Sequence, residues 1–166
     1  MSKLELLRDL YDYNEYASNA LLDVAAFVEL DDVGNKHATS LRDVVANMAH
    51  IVAAQINWLE RWKTGFNTYS TAALAGAMGT VGKARMAADR SHADLRAYIG
   101  TLAEADLDRD LAYKDSHGSD FAYPLWQLLT HVANHGTYHR GEVAAALTAI
   151  GHSPGELDFL YWLEGR

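Results

Sequence analysis

The sequence predicts an all-α protein, a four-helix bundle with a short C-terminal helix. Four long segments carry apolar residues at the 3.6-residue period of a helix. The chain has only two prolines, Pro124 and Pro154, so long helices can run without interruption. It has 166 residues, 49% of them hydrophobic, which is enough for one substantial core. Helices of about 20 residues or more in such a chain pack as a four-helix bundle, and we expect a single domain over residues 1–166.

The first two helices are predicted from apolar periodicity and a capping signal. The first covers residues 3–29, and its apolar period is broken at Asn14. Ser40 followed by Asp43 resembles a capping start, so the second helix is predicted over residues 41–63.

The middle of the chain is less regular. Residues 66–82 are rich in Gly, Ser, Thr and Ala and are expected to form a long loop with one short turn at most. A third helix fits residues 83–102. Residues 105–120 are acidic and irregular, and the runs 111–113 and 121–123 are predicted to form a short extended pair.

The fourth helix is predicted over residues 124–150. Pro124 occupies a favoured first-turn position and Gly151 follows the end. Residues 153–156, Ser-Pro-Gly-Glu, have the pattern of a capping box and are expected to open a short final helix. The apolar stripe of the fourth helix consists of Leu125, Leu128, Leu129, Val132, Val143, Leu147 and Ile150.

Composition excludes several classes of protein. Cysteine is absent, so a disulfide framework is excluded and any metal must use nitrogen and oxygen ligands. The net charge of −8 disfavours nucleic-acid binding, which needs a basic surface. No run is apolar enough for a membrane span, and the N-terminus does not resemble a secretory signal. We expect a soluble cytoplasmic protein without nucleic-acid or membrane partners.

Three histidines at a spacing of four lie on the fourth helix: His131, His135 and His139. On a helical projection, His135 and His139 fall at or within the apolar stripe, whereas His131 falls on its flank. Burying two imidazoles without partners would cost about 1–3 kcal/mol for each unsatisfied nitrogen. Since neighbouring imidazoles are good metal ligands, the pair is predicted to bind a metal ion.

A fourth histidine, His50, lies on the second helix, opposite the stripe that contains Leu41, Val44, Met48, Val52, Gln55, Leu59 and Trp62. Its neighbours on that side are small: Ala46, Ala53, Ala54 and Asn57. Small residues permit close approach of another helix, but such a face can equally meet solvent. Periodicity alone therefore leaves open whether His50 is a surface residue or a metal ligand.

Residues 129–142, which contain the histidine series and the run His139-Arg140-Gly141, resemble the signature of the DinB-like (damage-inducible protein B) family. Two further segments agree: Leu7, Tyr11, Tyr13, Asn14, Ala17, Asn19 and Leu22 in the first helix, and His50, Trp58, Leu59, Arg61 and Trp62 in the second. The family consists of metal-binding four-helix bundles. The resemblance implies a divalent metal site made by His50, His135 and His139, with His131 beside the ligands or at the surface.

Three neutral nitrogens leave coordination positions open, as in catalytic sites, and suit Zn, Ni, Fe or Mn. Glu142 is expected to be a solvated charge, or else to orient a ligand or act as a base. Arg140 is expected to form a structural ion pair and Gly141 to permit close helix contact. The remaining histidines are placed in loops or on polar faces: His37, His92, His117 and His152.

The resemblance also implies a function, because characterised members of the family include metal-dependent transferases and isomerases that use small thiols. Our first hypothesis is a low-molecular-weight-thiol S-transferase that acts on small electrophiles in detoxification or stress response. The alternatives are a metal-dependent hydrolase and a non-catalytic metal-binding stress protein. Motifs for a di-iron bundle, a zincin protease and a serine hydrolase are absent. Apolar and alanine-rich faces make a homodimer reasonable.

Overall fold

The structure, a computed structural model, describes residues 1–31, 36–66, 69–115 and 118–165. The all-α prediction is confirmed. In chain order the elements are α1 (Lys3–Asp31), α2 (Ala38–Thr64), α3 (Thr71–Gly76), α4 (Val81–Gly100), a 3-10 turn (Glu104–Asp108), β1 (Asp110–Lys114), β2 (Asp120–Pro124), α5 (Leu125–Ala149) and α6 (Phe159–Gly165).

The four long helices form the bundle. Helix α2 packs on α5 and α4, and α1 packs on α4 and α5, whereas α1 and α2 face each other across the diagonal with few contacts. The six-residue helix α3 lies against α2. Because α2 and α5 are adjacent, a side chain on the facing side of α2 can meet the fourth-helix histidines.

The core consists of two apolar clusters separated by a buried polar layer. One cluster includes Leu21, Met48, Ala84 and Val143, and the other includes Leu7, Trp62, Leu95 and Leu129. Along each long helix, the buried polar residues fall between the positions that belong to the two clusters. They are Asn14, Ser18, Gln55, Asn57, Ser91, His92 and Arg140. Hydrogen bonds from Ser91 to Gln55 and from Arg140 to Asn14 join helices within this layer and so constrain how the helices align.

Two of the predicted helix starts are wrong. Helix α2 begins at Ala38 rather than 41, because the Leu41 amide already donates to the His37 carbonyl, 2.9 Å away, and Ser40 lies inside the first turn. Helix α6 begins at Phe159, beyond the Ser-Pro-Gly-Glu sequence. There the Ser153 hydroxyl accepts from the Gly155 amide at 3.2 Å, and Gly155 has φ of 78°, so the segment forms a turn.

The region predicted as a long loop contains the helix α3, whose start is capped by the Ser70 hydroxyl accepting from the Ala73 amide at 3.4 Å. Residues 67–68 of that region lie outside the described part of the chain. The short extended pair is confirmed as an antiparallel hairpin, with Leu111 opposite Tyr123 and Tyr113 opposite Phe121. The acidic region before it also contains the 3-10 turn Glu104–Asp108.

None of the helices in the described residues combines the length and hydropathy that a membrane span requires.

Candidate metal centre

The three histidines expected to be ligands lie together between α2 and α5. One ring nitrogen from each of His50, His135 and His139 lies within 4.8 Å of those from the other two. The ring centroids are 5.1 Å apart for His50 and His135, 4.6 Å for His50 and His139, and 4.5 Å for His135 and His139. The side chains are therefore close enough to share one metal ion.

Helix packing explains why these positions converge. His135 and His139 are one turn apart on α5, so their side chains leave the same face of the helix. His50 lies on the small-residue face of α2, where Ala53 and Ala54 are buried. This face of α2 is therefore a packed face, and His50 is half-buried beside α5.

The free nitrogens of the cluster fit a metal ion. His135 Nε2 is buried and has no hydrogen-bond partner among the described residues, although buried polar atoms normally have one. His139 Nδ1 lies 2.7 Å from Glu142 Oε2, and since a carboxylate accepts, the ring donates its Nδ1–H there. The Nε2 atom of His139 is then left as a lone-pair donor. Glu142 is half-exposed and orients a candidate ligand, which is one of the roles predicted for it.

The surroundings keep two of the three imidazoles, His50 and His135, neutral. Burial lowers the pKa of His135 to about 4, and the neighbouring His139, His50 and His131 lower it as well. Burial also lowers the pKa of His50, with a further lowering from His139 and an opposing effect of Glu142. Because only the neutral imidazole has a lone pair for a metal, these two side chains are in the ligating form at neutral pH.

His131 is not part of the cluster, in agreement with its predicted place beside the ligands or at the surface. It is exposed, and its ring stacks on His135 with centroids 6.1 Å apart. On its other side it meets Trp58 edge to face at 5.2 Å. His131 therefore connects the histidine cluster to an aromatic region.

The ion pair predicted for Arg140 is wrong in the described part of the chain. Arg140 is only 3% exposed, and its guanidinium donates from Nη1 to Asn14 Oδ1 and from Nη2 to Thr137 Oγ1, the latter at 2.8 Å. It also lies 5.5 Å from the centre of the Tyr13 ring. An amide oxygen, a hydroxyl oxygen and an aromatic face therefore take the place of the expected carboxylate. The amide belongs to Asn14, the residue that interrupts the apolar period of α1.

The close helix contact predicted at Gly141 occurs instead at Gly136. Gly141 is exposed, and a Cβ there would meet nothing within 4 Å. A Cβ at Gly136 would lie 2.9 Å from Arg140 Nη1 and 2.9 Å from Asn14 Oδ1. Gly136 therefore makes room for the buried Arg140–Asn14 contact, one residue after His135.

The placement of His92 on a polar face is also wrong, because the side chain is only 4% exposed within α4. The sequence signal was its spacing, four residues after Ala88 and three before Leu95, which are both buried. His37 and His152 are half-buried outside the metal cluster, with ring centroids 6.1 Å apart. His117 lies outside the described residues.

Two cavities adjoin His131 and Gln127. The larger, of about 510 Å³, lies along α1 and α5 and has several polar lining residues, among them Asn14, Thr130, Asn134 and Thr137. The smaller, of about 200 Å³, is bounded by α2, the hairpin and α5 and has three aromatic walls. Neither cavity is lined by the three clustered histidines, but both reach the ring that stacks on His135.

The fold and the site together define a helical bundle with a three-histidine centre positioned to hold a metal ion. A model of the DinB family matches residues 1–165, and the chain belongs to that family. It is similar to Protein DinB of Bacillus subtilis (strain 168), with 23% identity over 158 residues that cover 93% of this chain and 91% of the relative. No solved structure gives a significant match.

Proposed function

We propose that the protein is a metal-dependent enzyme that transfers a small thiol to a small electrophile. His50, His135 and His139 are the proposed ligands of a divalent ion. The observation that carries the proposal is the convergence of three imidazoles from two helices, one of which presents a buried nitrogen without a partner. A site with three protein nitrogens leaves positions for exogenous ligands, as catalytic metal sites do.

The donor set suits Zn, Ni, Fe or Mn. When bound, such an ion lowers the pKa of a coordinated thiol or water and so supplies a nucleophile at neutral pH. The chain's own contribution is orientation. Glu142 accepts the Nδ1–H of His139 and fixes the tautomer that directs Nε2 to the centre.

The cavities beside the cluster favour a reaction with two organic substrates. A hydrolase needs one substrate and water, whereas a thiol transferase must seat both a thiol and an electrophile. The 510 Å³ cavity, which includes several polar lining residues, and the 200 Å³ cavity, which has three aromatic walls, are two separate places that share His131 and Gln127. In the transfer, the thiol releases its proton to solvent, its sulfur forms a bond to the electrophilic carbon, and the leaving group departs with the bonding electrons.

In the same proposal, the protein acts in detoxification or stress response. It is a homodimer and lies in the cytoplasm. Exposed apolar side chains of α6, Leu160 and Tyr161, support self-association. Light scattering on the purified protein should give twice the mass of the chain, and a monomer at micromolar concentration would remove the dimer from the proposal.

The test is a thiol-plus-electrophile panel with metal-loaded and chelator-stripped protein, in which loss of free thiol is followed. We expect the loaded protein to consume thiol in at least one pairing, and the stripped protein and the His139→Ala variant not to. His152→Ala, which changes a histidine outside the cluster, is the matched control and should retain activity. If no pairing consumes thiol, the transferase proposal is wrong, and metal-dependent ester hydrolysis in the same samples would instead establish the hydrolase.

A further inference from the structure

The hairpin presents an aromatic face towards the bundle. Directly paired residues of an antiparallel hairpin lie on the same face, so Leu111, Tyr113, Phe121 and Tyr123 share one face. Leu111 on that face is buried in the core, whereas Phe121 and Tyr123 remain 37% and 41% exposed. The inward face of the hairpin therefore does not close completely on the helices.

The space left between the hairpin and the helices is the 200 Å³ cavity. Contacts between aromatic rings connect its walls. Trp58 of α2 meets Tyr113 edge to face with centroids 5.1 Å apart. Tyr113 stacks on Phe121 at 5.7 Å, and Phe121 on Tyr123 at 6.3 Å. The cavity is lined by Trp58, Tyr113, Tyr123, Gln127, Leu128 and His131.

Size and chemistry select the ligand. An enclosed apolar cavity of about 150 Å³ takes one benzene molecule, so this cavity of about 200 Å³, which is partly open to solvent, has room for one ring with small substituents. The faces of indole and phenol rings are electron-rich and favour stacking on electron-poor rings. Gln127 and His131 supply the polar groups that a nitro or carbonyl substituent can meet.

Arg61 contacts two of the aromatic walls of the cavity, Trp58 and Tyr113. The Arg61 guanidinium lies 4.8 Å from the centre of the Trp58 ring and 5.7 Å from that of Tyr113. Such cation–π contacts fix the orientation of both rings, and a preorganised site loses less entropy when a ligand binds.

We propose that this cavity binds a single electron-poor aromatic ring and, resting on the proposed function, that the electrophile of the thiol transfer is such a ring. His131 links the two sites, since it lines the cavity and its ring stacks on His135. With an aryl halide, the thiol gives its proton to solvent, a bond forms between sulfur and the ring carbon, and the carbon–halogen bond breaks as the halide leaves with its electrons.

Binding is tested first, without metal and without reaction. Chelator-stripped protein is titrated with 1,3-dinitrobenzene, which has no leaving halide, and heat and backbone amide chemical shifts are recorded. We expect one saturable site, with shifts centred on the hairpin and on the first turns of α5. Tyr123→Ala should weaken binding about tenfold, the effect of losing one stacking wall. Tyr16→Ala is the matched control, because Tyr16 is 45% exposed on α1 and does not line the cavity.

The absence of saturable binding, or equal affinity of wild type and Tyr123→Ala, would overturn the ring site, whatever the protein's activity.

Metal-loaded protein is then given a small thiol with 1-chloro-2,4-dinitrobenzene or with iodoacetamide, an aliphatic electrophile. Tyr123→Ala should raise KM for the chloroarene about tenfold and so lower the preference of the protein for the chloroarene over iodoacetamide. Equal effects on both electrophiles would contradict the assignment of the ring site to the transfer. Ring binding without thiol transfer in any pairing would leave the cavity site standing and overturn the transferase.

Discussion

Lowering the pH from 7.5 to 5 is expected to destabilise this protein through His92, a histidine that is 4% exposed in the middle of α4. Neither of its ring nitrogens has a hydrogen-bond partner among the described residues. Burial lowers the pKa of His92 to about 4, and the nearby cations Arg140 and Arg96 lower it as well. In the unfolded chain, the same group takes up a proton near pH 6.5.

The sign follows from this difference in pKa. Above pH 6.5 the imidazole is neutral in both states and contributes nothing to the pH dependence. As the pH falls from 6.5 towards 4, only the unfolded state binds the proton, so the free energy of unfolding decreases. Each pH unit between the two pKa values is worth about 1.4 kcal/mol. The full effect of a folded-state pKa of about 4 is then about 3 kcal/mol, of which about 2 kcal/mol is lost at pH 5.

The assay is urea denaturation followed by far-ultraviolet circular dichroism, at pH 7.5 and pH 5, with chelator present in every sample. The His92→Leu variant cannot take up this proton. Wild type should therefore lose about 2 kcal/mol more than the variant between the two pH values. His152→Leu, a replacement of a half-buried histidine, should behave as wild type. If wild type and His92→Leu lose the same stability, His92 is not held neutral by its surroundings and the reasoning is refuted.

Two further predictions concern α5. Gly136→Ala places a Cβ 2.9 Å from the Arg140 guanidinium and should lower the free energy of unfolding by about 1–3 kcal/mol. Gly141→Ala places its Cβ in open space, so in the same urea experiment it should leave the free energy of unfolding unchanged or raise it by up to about 1 kcal/mol. Equal effects of the two alanines would mean that Gly136 is not a close contact. Glu142→Gln weakens the acceptor for His139 and should reduce Zn²⁺ affinity about 10–100-fold in a competition titration with a chelating dye, while Glu156→Gln, on an exposed residue outside the cluster, should have no effect. An unchanged affinity in Glu142→Gln would contradict its orienting role.

Helix periodicity was sufficient for the parts of the fold that depend on burial. The four long helices and the inward direction of His135 and His139 follow from the 3.6-residue spacing, because one face of each helix must be buried. The predicted starts of α2 and α6 are wrong because Ser40 and Ser153 are residue types that often cap helices. Whether such a residue caps a helix depends on the backbone around it, and at Ser153 a left-handed Gly155 makes a turn instead.

The polar interior was harder to predict for a different reason. A pattern that assigns polar residues to the surface places His92 outside, although it is buried, and it gives no indication that the acceptor for Arg140 is an amide instead of a carboxylate. The surroundings of Arg140 on α5 depend on a residue far away in sequence, Asn14 of α1. In the same way, the spacing around His50 indicated a second face of small residues, but only the packing of α2 on α5 shows that this face lies against the other two histidines.

The most direct test of the proposed centre is the molar ratio of metal to protein, measured by elemental analysis after purification and dialysis against a trace of Zn²⁺. Wild type and His152→Ala should each hold about one ion per chain. Single replacement by alanine of His50, His135 or His139 should reduce the ratio to near zero while the helical signal in circular dichroism is kept. A ratio near one in each of the three single variants would show that these imidazoles do not bind the ion.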